Sequence, residues 1–246
     1  MKTWNTKSGY QLIQILSGRS NVFLLTNGIK NILIDTSPAR KWKKLNSNLK
    51  SLDINKLDFL ILTHTHYDHV ANSFNIKKCY NPQVVVQREE KLYISNGTNK
   101  FPRGTNPVTR FLINVIGDKI SNKYNFTPCQ PDILVDSRLN LNEFGFNAYL
   151  MHTPGHSIGS ISLIVDNEIA IVGDTMFGVF KTSIFPPFAD NPKVMIDSWG
   201  KLLETNCSVF IPAHGFENNR EKVKKNYEKR KSDVQRAVDS FQKEIN

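Results

Sequence analysis

The chain has 246 residues, of which 39% are hydrophobic, 10% aromatic and 22% charged, enough to build a sizeable core and unlike disordered, collagen-like or disulfide-stapled sequences. Its formal charge of +10 and pI near 9.5 raise nucleic-acid binding as a possibility. The basic residues are spread out, however, and the densest stretch, Arg220 to Lys243, interleaves them with Glu221, Glu228, Asp233, Asp239 and Glu244, as on a solvated helix.

From the N-terminus, Tyr10 to Leu16, Val22 to Thr26 and Ile32 to Ile34 read as strands separated by Ser17-Gly18 and Asn27-Gly28. Pro38 opens a predicted helix to about Leu49, and Leu57 to Leu62 is a short apolar run expected as a fully buried strand. Residues 88–130 break the pattern with turn signals such as Asn96-Gly97 and Asn106-Pro107 around one predicted helix, Pro107 to Val115. This segment is expected as an insertion over an edge or a cleft.

A second series begins near Ile133, with strands at Phe146 to Met151, Ser160 to Val165 and Glu168 to Val172, the last two joined across Asp166-Asn167. A helix follows from Pro192 to Leu203, started by Asp190 or Asn191. Val209 to Pro212 is a last strand, and Glu217 opens a long polar helix. Two sheet-rich halves, each ending in strand and helix, predict one domain over 1–246 with two sheets packed face to face and helices outside.

No apolar run approaches the roughly 18 residues of a membrane span. The first residues carry charge without an apolar core, so they do not read as a secretory signal and a cytoplasmic protein is expected. Cys79, Cys129 and Cys207 are widely spaced and fit reduced thiols better than a disulfide framework or a thiolate zinc site.

The chemistry is concentrated in six histidines, three of them in His64-Thr65-His66-Tyr67-Asp68-His69, directly after the buried strand. In extended backbone, side chains at i and i+2 share a face, so His64 and His66 can converge on one cation. Asp68 and His69 follow where the chain turns into a helix. Neutral imidazole and carboxylate suit an open, catalytic zinc sphere, and iron or manganese accept the same donors. His156 in Thr153-Pro154-Gly155-His156, Asp174 in Gly173-Asp174-Thr175 and His214 in Pro212-Ala213-His214-Gly215 each follow an apolar strand as well.

These segments, in this order and over nearly the whole chain, resemble the H-x-H-x-D-H, T-P-G-H, G-D and last-histidine motifs of the metallo-β-lactamase-fold hydrolases. The resemblance implies an α/β four-layer αββα sandwich with a dinuclear site. In it His64, His66 and His156 hold one divalent metal, Asp68, His69 and His214 hold a second, and Asp174 bridges them. It further implies hydrolysis by a metal-bridging hydroxide that Asp68 helps to orient, a ligand-orienting role for Asp35, and a supporting role for His152.

Departures from named subfamilies narrow the substrate. Asp174 and the absence of a matching cysteine turn the reading away from antibiotic hydrolysis, and His66 turns it away from a redox di-iron site. Gly178-Val179-Phe180-Lys181-Thr182 replaces the Cys-Gly-Arg of hydroxyacylglutathione hydrolases, and Phe177 stands where acyl-homoserine lactonases carry a tyrosine. The loop with Phe177, Phe180, Phe185 and Phe188 offers apolar surface for an acyl or aromatic group, and Lys181 a charge for an anionic one. The expectation is a small-molecule substrate, an ester, thioester or lactone, cleaved with two divalent cations, zinc foremost. The alternative is a phosphodiesterase or ribonuclease on nucleic acid or nucleotide.

Overall fold

The computed structural model describes residues 1–18, 20–98, 102–105, 108, 109, 111, 113, 115 and 124–245, with side chains described to Asp233. Seven strands form the first sheet, in sequence order: β1 (Thr3–Asn5), β2 (Gln11–Leu16), β3 (Val22–Thr26), β4 (Asn31–Ile34), β5 (Phe59–Ile61), β6 (Gln83–Gln87) and β7 (Ile133–Val135). Its first four strands are an antiparallel meander, and β4 to β7 run parallel. Parallel neighbours need crossovers. These are α1 (Trp42–Lys50) between β4 and β5, then α2 (Tyr67–Val70) and α3 (Ser73–Tyr80) between β5 and β6.

The second sheet has six strands in the order β13-β12-β11-β10-β9-β8. They are β8 (Arg138–Asn140), β9 (Ala148–His152), β10 (Ile161–Val165), β11 (Ile169–Gly173), β12 (Val209–Pro212) and β13 (Asn218–Asn219). Only β11 and β12 pair in parallel, after a crossover through the helix Pro192–Glu204. Asn191, one of the two expected caps, begins that helix by accepting from the Val194 N–H at 3.2 Å. A long helix, Arg220–Ile245, ends the described chain.

Strand alternation explains the layers. Phe23, Leu25, Ile32, Ile34, Phe59 and Ile61 on one face meet Leu150, Ile161, Leu163, Ile169, Ile171 and Ile211 of the other sheet. The residues between them face outward: Leu24, Leu33 and Leu60 pack with Leu45, Leu49 and Ile76 of the helices, while Ile164, Ala170 and Val172 pack with Met195, Trp199 and Leu202. Strands buried on both faces read as continuous apolar runs. Two mixed sheets flanked by helices are the expected α/β sandwich.

Three features depart from the sequence reading. Residues 70–87, for which it expected only a helix beginning at Asp68 and His69, form α3 and β6, and β1 precedes the first expected strand. The start of the expected insertion belongs to the helical layer: Arg88–Glu90 is a 3₁₀ turn and Lys91–Asn96 a helix, α4, that buries Ile94. Cys129 lies in the same cluster and its N–H donates to the Ile94 carbonyl at 3.0 Å. The helix expected over 107–115 lies partly outside the described residues.

All three cysteines are free thiols, Cys79 exposed and the others buried. Among the described residues no helix is long and apolar enough to cross a membrane.

Candidate metal centre

Strand direction brings the motif loops to one rim. Because β4 and β5 are parallel, Asp35 and His64 leave the first sheet at the same end; β9, β11 and β12 likewise point one way, so His156, Asp174 and His214 leave the second sheet together. The two rims are joined where Ile161 N–H donates to the Thr63 carbonyl at 2.9 Å. Fixed strand ends hold the loops, and the loops aim the side chains.

Every site residue singled out from the sequence lies at this rim. His64, His66 and His156 present ligand atoms within 4.8 Å of one another, as do Asp68, His69 and His214, and also His64, His69 and Asp174. Asp174 stands between the two histidine groups: its Oδ2 is 3.4 Å from His156 Nε2 and 3.2 Å from His214 Nε2, and its Oδ1 is 3.5 Å from His69 Nε2. Asp68 is the more open carboxylate, with Oδ2 3.5 Å from His214 Nε2. Gly155, at φ +128°, lets the His156 loop approach the helix Pro192–Glu204, since a Cβ there would fall 2.2 Å from Met195 N.

The donor set fits divalent cations. His64 Nε2, His69 Nε2 and Asp174 Oδ1 are buried without any hydrogen-bond partner, an arrangement costly for polar atoms unless something else satisfies them. Burial holds His64 well below its usual pKa and brings His66 and His156 to about 4, so these imidazoles are neutral and ready to ligate at pH 7. Burial would also lower His69, but Asp174, Asp35 and Asp68 draw it well above its usual value. Burial would raise Asp174, yet His214, His69 and His156 hold it well below the carboxylate range. The carboxylates thus call for positive charge.

Outer partners orient the rings. Asp35, 1% exposed, accepts from Thr63 N–H and from Thr63 Oγ1, each at 2.8 Å, while its Oδ2 lies 2.9 Å from His69 Nδ1. Its φ of +61° is unusual for a residue other than glycine and marks backbone strain held at this site. A carboxylate behind a histidine fixes the tautomer that leaves Nε2 free. Asp35→Asn is therefore expected to weaken metal binding roughly 10- to 100-fold, measured by competition with a chromophoric chelator; an unchanged affinity would remove Asp35 from this role. His156 Nδ1 is 2.9 Å from the Phe188 carbonyl, and His152 Nε2 is 2.8 Å from the Ile158 carbonyl, a loop-bracing contact.

The apolar loop divides. Phe177 lies against the His214 ring at 4.6 Å between centroids and Phe185 packs edge-on against Trp199, whereas Val179 and Phe180 are exposed beside Phe216. Gly178 N–H donates to the His214 carbonyl and Phe216 N–H to the Gly178 carbonyl, which fixes that exposed rim next to the site. Lys181 is exposed. Arg103, Thr105 and Tyr124 of the expected insertion also reach the site: Thr105 N–H donates to the Pro187 carbonyl, Ala189 N–H to the Arg103 carbonyl, and Tyr124 packs on Tyr67 at 5.1 Å.

Sequence reasoning missed Glu90, Thr63 and Thr65. Arg88-Glu89-Glu90 reads as solvated charge, yet Glu90 is buried and bonds to Thr65 and Ser157, each adjacent to a histidine of the site. No local pattern distinguishes it from Glu89.

A family model described as the metallo-beta-lactamase superfamily matches residues 17–214. A probable metallo-hydrolase of Methanocaldococcus jannaschii is 30% identical over 158 residues, 64% of this chain and 68% of its own. Hydroxyacylglutathione hydrolase GloC of Haemophilus influenzae is 26% identical over 212 residues, 83% of this chain and 90% of its own. The solved structure of ST1585, an archaeal metallo-beta-lactamase superfamily protein from Sulfolobus tokodaii, shares the fold with a TM-score of 0.63 at 22% identity, covering 89% of this chain and 85% of that one.

Proposed function

Because the chain belongs to the metallo-beta-lactamase superfamily and is a metal-dependent hydrolase, we propose that it cleaves small acyl thioesters at a centre of two divalent cations, zinc foremost. The observation that carries this reading is the convergence of five histidines and two aspartates, with buried, unpartnered atoms facing one another. His64, His66 and His156 would hold one cation and Asp68, His69 and His214 the other, with Asp174 shared. When bound, the cations would lower the pKa of a water toward neutrality and supply positive charge to polarise the substrate carbonyl.

The chain's own groups do the rest. Asp68, at the open side of the centre, accepts a hydrogen bond from the attacking water and orients it. Val179, Phe180 and Phe216 give an acyl group an apolar surface beside the reacting carbon. In this reading all five rim histidines are ligands, leaving none to protonate a leaving group. A thiolate suits such a site, because the pKa of its conjugate acid is only about 8.5. The hydroxyacylglutathione hydrolase likeness agrees with thioester chemistry, while the altered sequence after Asp174 points to an acyl-led rather than a glutathione-led fit.

The test is metal analysis of protein purified without added metal, paired with a panel of acyl thioesters, aryl esters, lactones and bis-aryl phosphodiesters. About two divalent ions per chain and a kcat/KM highest for thioesters are expected, with activity lost on chelation. Preference for the phosphodiesters, with nucleic-acid binding that falls steeply as salt rises, would replace this reading by the phosphodiesterase one.

A further inference from the structure

Glu90 ends the 3₁₀ turn Arg88–Glu90 at the base of α4, outside every motif at the rim, and is only 2% exposed. Its Oε2 accepts a hydrogen bond from Thr65 Oγ1. Its Oε1 accepts from Ser157 Oγ at 2.6 Å and from Gly159 N–H at 3.1 Å. All three donors are neutral. Gly159 makes room for it, since a Cβ there would lie 2.4 Å from Glu90 Cγ.

The positions of the donors matter more than their number. Thr65 stands between His64 and His66 on the first sheet's loop, and Ser157 directly follows His156 on the second sheet's loop. The two loops come from different sheets, yet His66 Nδ1 and His156 Nε2 lie 3.0 Å apart. Glu90 is bonded to both loops at once. Burying a carboxylate among neutral donors costs free energy that an apolar residue would not incur, so its charge calls for a reason. The group formed by His64, His66 and His156 supplies one: three imidazole donors converge there within 4.8 Å of one another, and Asp174 Oδ2 lies 3.4 Å from only one of them, at His156 Nε2.

We propose that Glu90 is a positioning residue for the metal centre, clamping the His64–His66 loop to the His156 loop and supplying negative charge behind that three-histidine group. This rests on the reading of those histidines as ligands of one cation. Glu90 touches no ligand atom; it acts through Thr65 and Ser157. Glu90→Gln keeps its size, and the Thr65 or Ser157 hydroxyl can turn to accept from the amide, so packing is retained while the charge is lost.

The test is cobalt(II) titration of the full-length protein, parent and Glu90→Gln, followed by visible absorption, with thermal melting of both metal-free proteins. The parent is expected to bind cobalt and develop visible bands. Glu90→Gln is expected to lose affinity in one phase by roughly 10- to 100-fold, with altered bands, while its metal-free melting temperature stays near that of the parent. Glu90→Asp, which restores the charge, is expected to recover part of the affinity. Cobalt affinity and bands in Glu90→Gln equal to those of the parent would overturn the proposal. Should Glu90→Gln not fold, Ser157→Ala takes its place under the same criterion. A parent that takes up no cobalt would instead sink the metal-centre reading itself.

Discussion

Replacing Asp174 by alanine is expected to reduce turnover about a thousandfold or more, a loss of roughly 4 kcal/mol of transition-state stabilisation, and to lower the bound metal per chain. The reason is geometric. Asp174 is 5% exposed, and its two oxygens lie 3.2 to 3.5 Å from imidazole nitrogens of both histidine groups. Without it, His69 and His214 lose the carboxylate that raises their pKa against burial, and in the proposed reading two cations would lose the ligand they share. Kinetics on the best thioester and metal analysis of the same sample check both halves. Full activity with full metal content in Asp174→Ala would remove Asp174 from the bridging role, whereas loss of activity alone would restrict it to catalysis.

Trp199→Ala is expected to cost about 3–5 kcal/mol of stability, the largest effect of any single core truncation here. Trp199 is fully buried between the second sheet and its helix layer, edge-on to Phe185, and its Nε1–H donates to the Thr175 carbonyl at 2.6 Å. Alanine leaves a cavity and also strands that carbonyl. Since Thr175 directly follows Asp174, the loosened loop is expected to lower activity of the folded fraction too. Urea denaturation measures the first effect. Trp199→Phe, which keeps most of the ring and loses the hydrogen bond, is expected to cost only about 1–2 kcal/mol. Equal costs for the two variants would show that the indole N–H, rather than the packed volume, carries the interaction.

Part of the site was legible because four of its residues are local in sequence. Three histidines and an aspartate lie within six positions of one short loop, and backbone alternation puts His64 and His66 on one face: their ring centroids stand 4.5 Å apart. His156, Asp174 and His214 were found by their place after apolar strands and by family resemblance. Spacing alone does not say that strands from different sheets end at the same rim.

The fold was legible where strands are long and bounded by turn residues, as at Val22–Thr26 and Ile161–Val165. It failed at α3 and β6. Ser73–Tyr80 is a short helix that packs Ile76 and Tyr80 against the first sheet, and Gln83–Gln87 is a short strand whose burial is set by its neighbours rather than by its own alternation. It also drew the insertion too early, since charged Arg88-Glu89-Glu90-Lys91 looks exposed until Ile94 and Glu90 are seen to be buried.

By itself the amino-acid sequence determined the two sheets of doubly buried strands and the histidines and aspartates proposed as ligands, because these depend on residue type and on patterns only a few positions long. Only the tertiary structure decided that Asp35 backs His69, that Phe177 lies on His214 while Phe180 is exposed, and that Glu90 joins the loop of Thr65 to that of Ser157, itself 67 residues from Glu90. The physical reason is that a buried polar group is read through its partners. Those partners come from distant segments, whose meeting is set by sheet pairing and not by any local pattern.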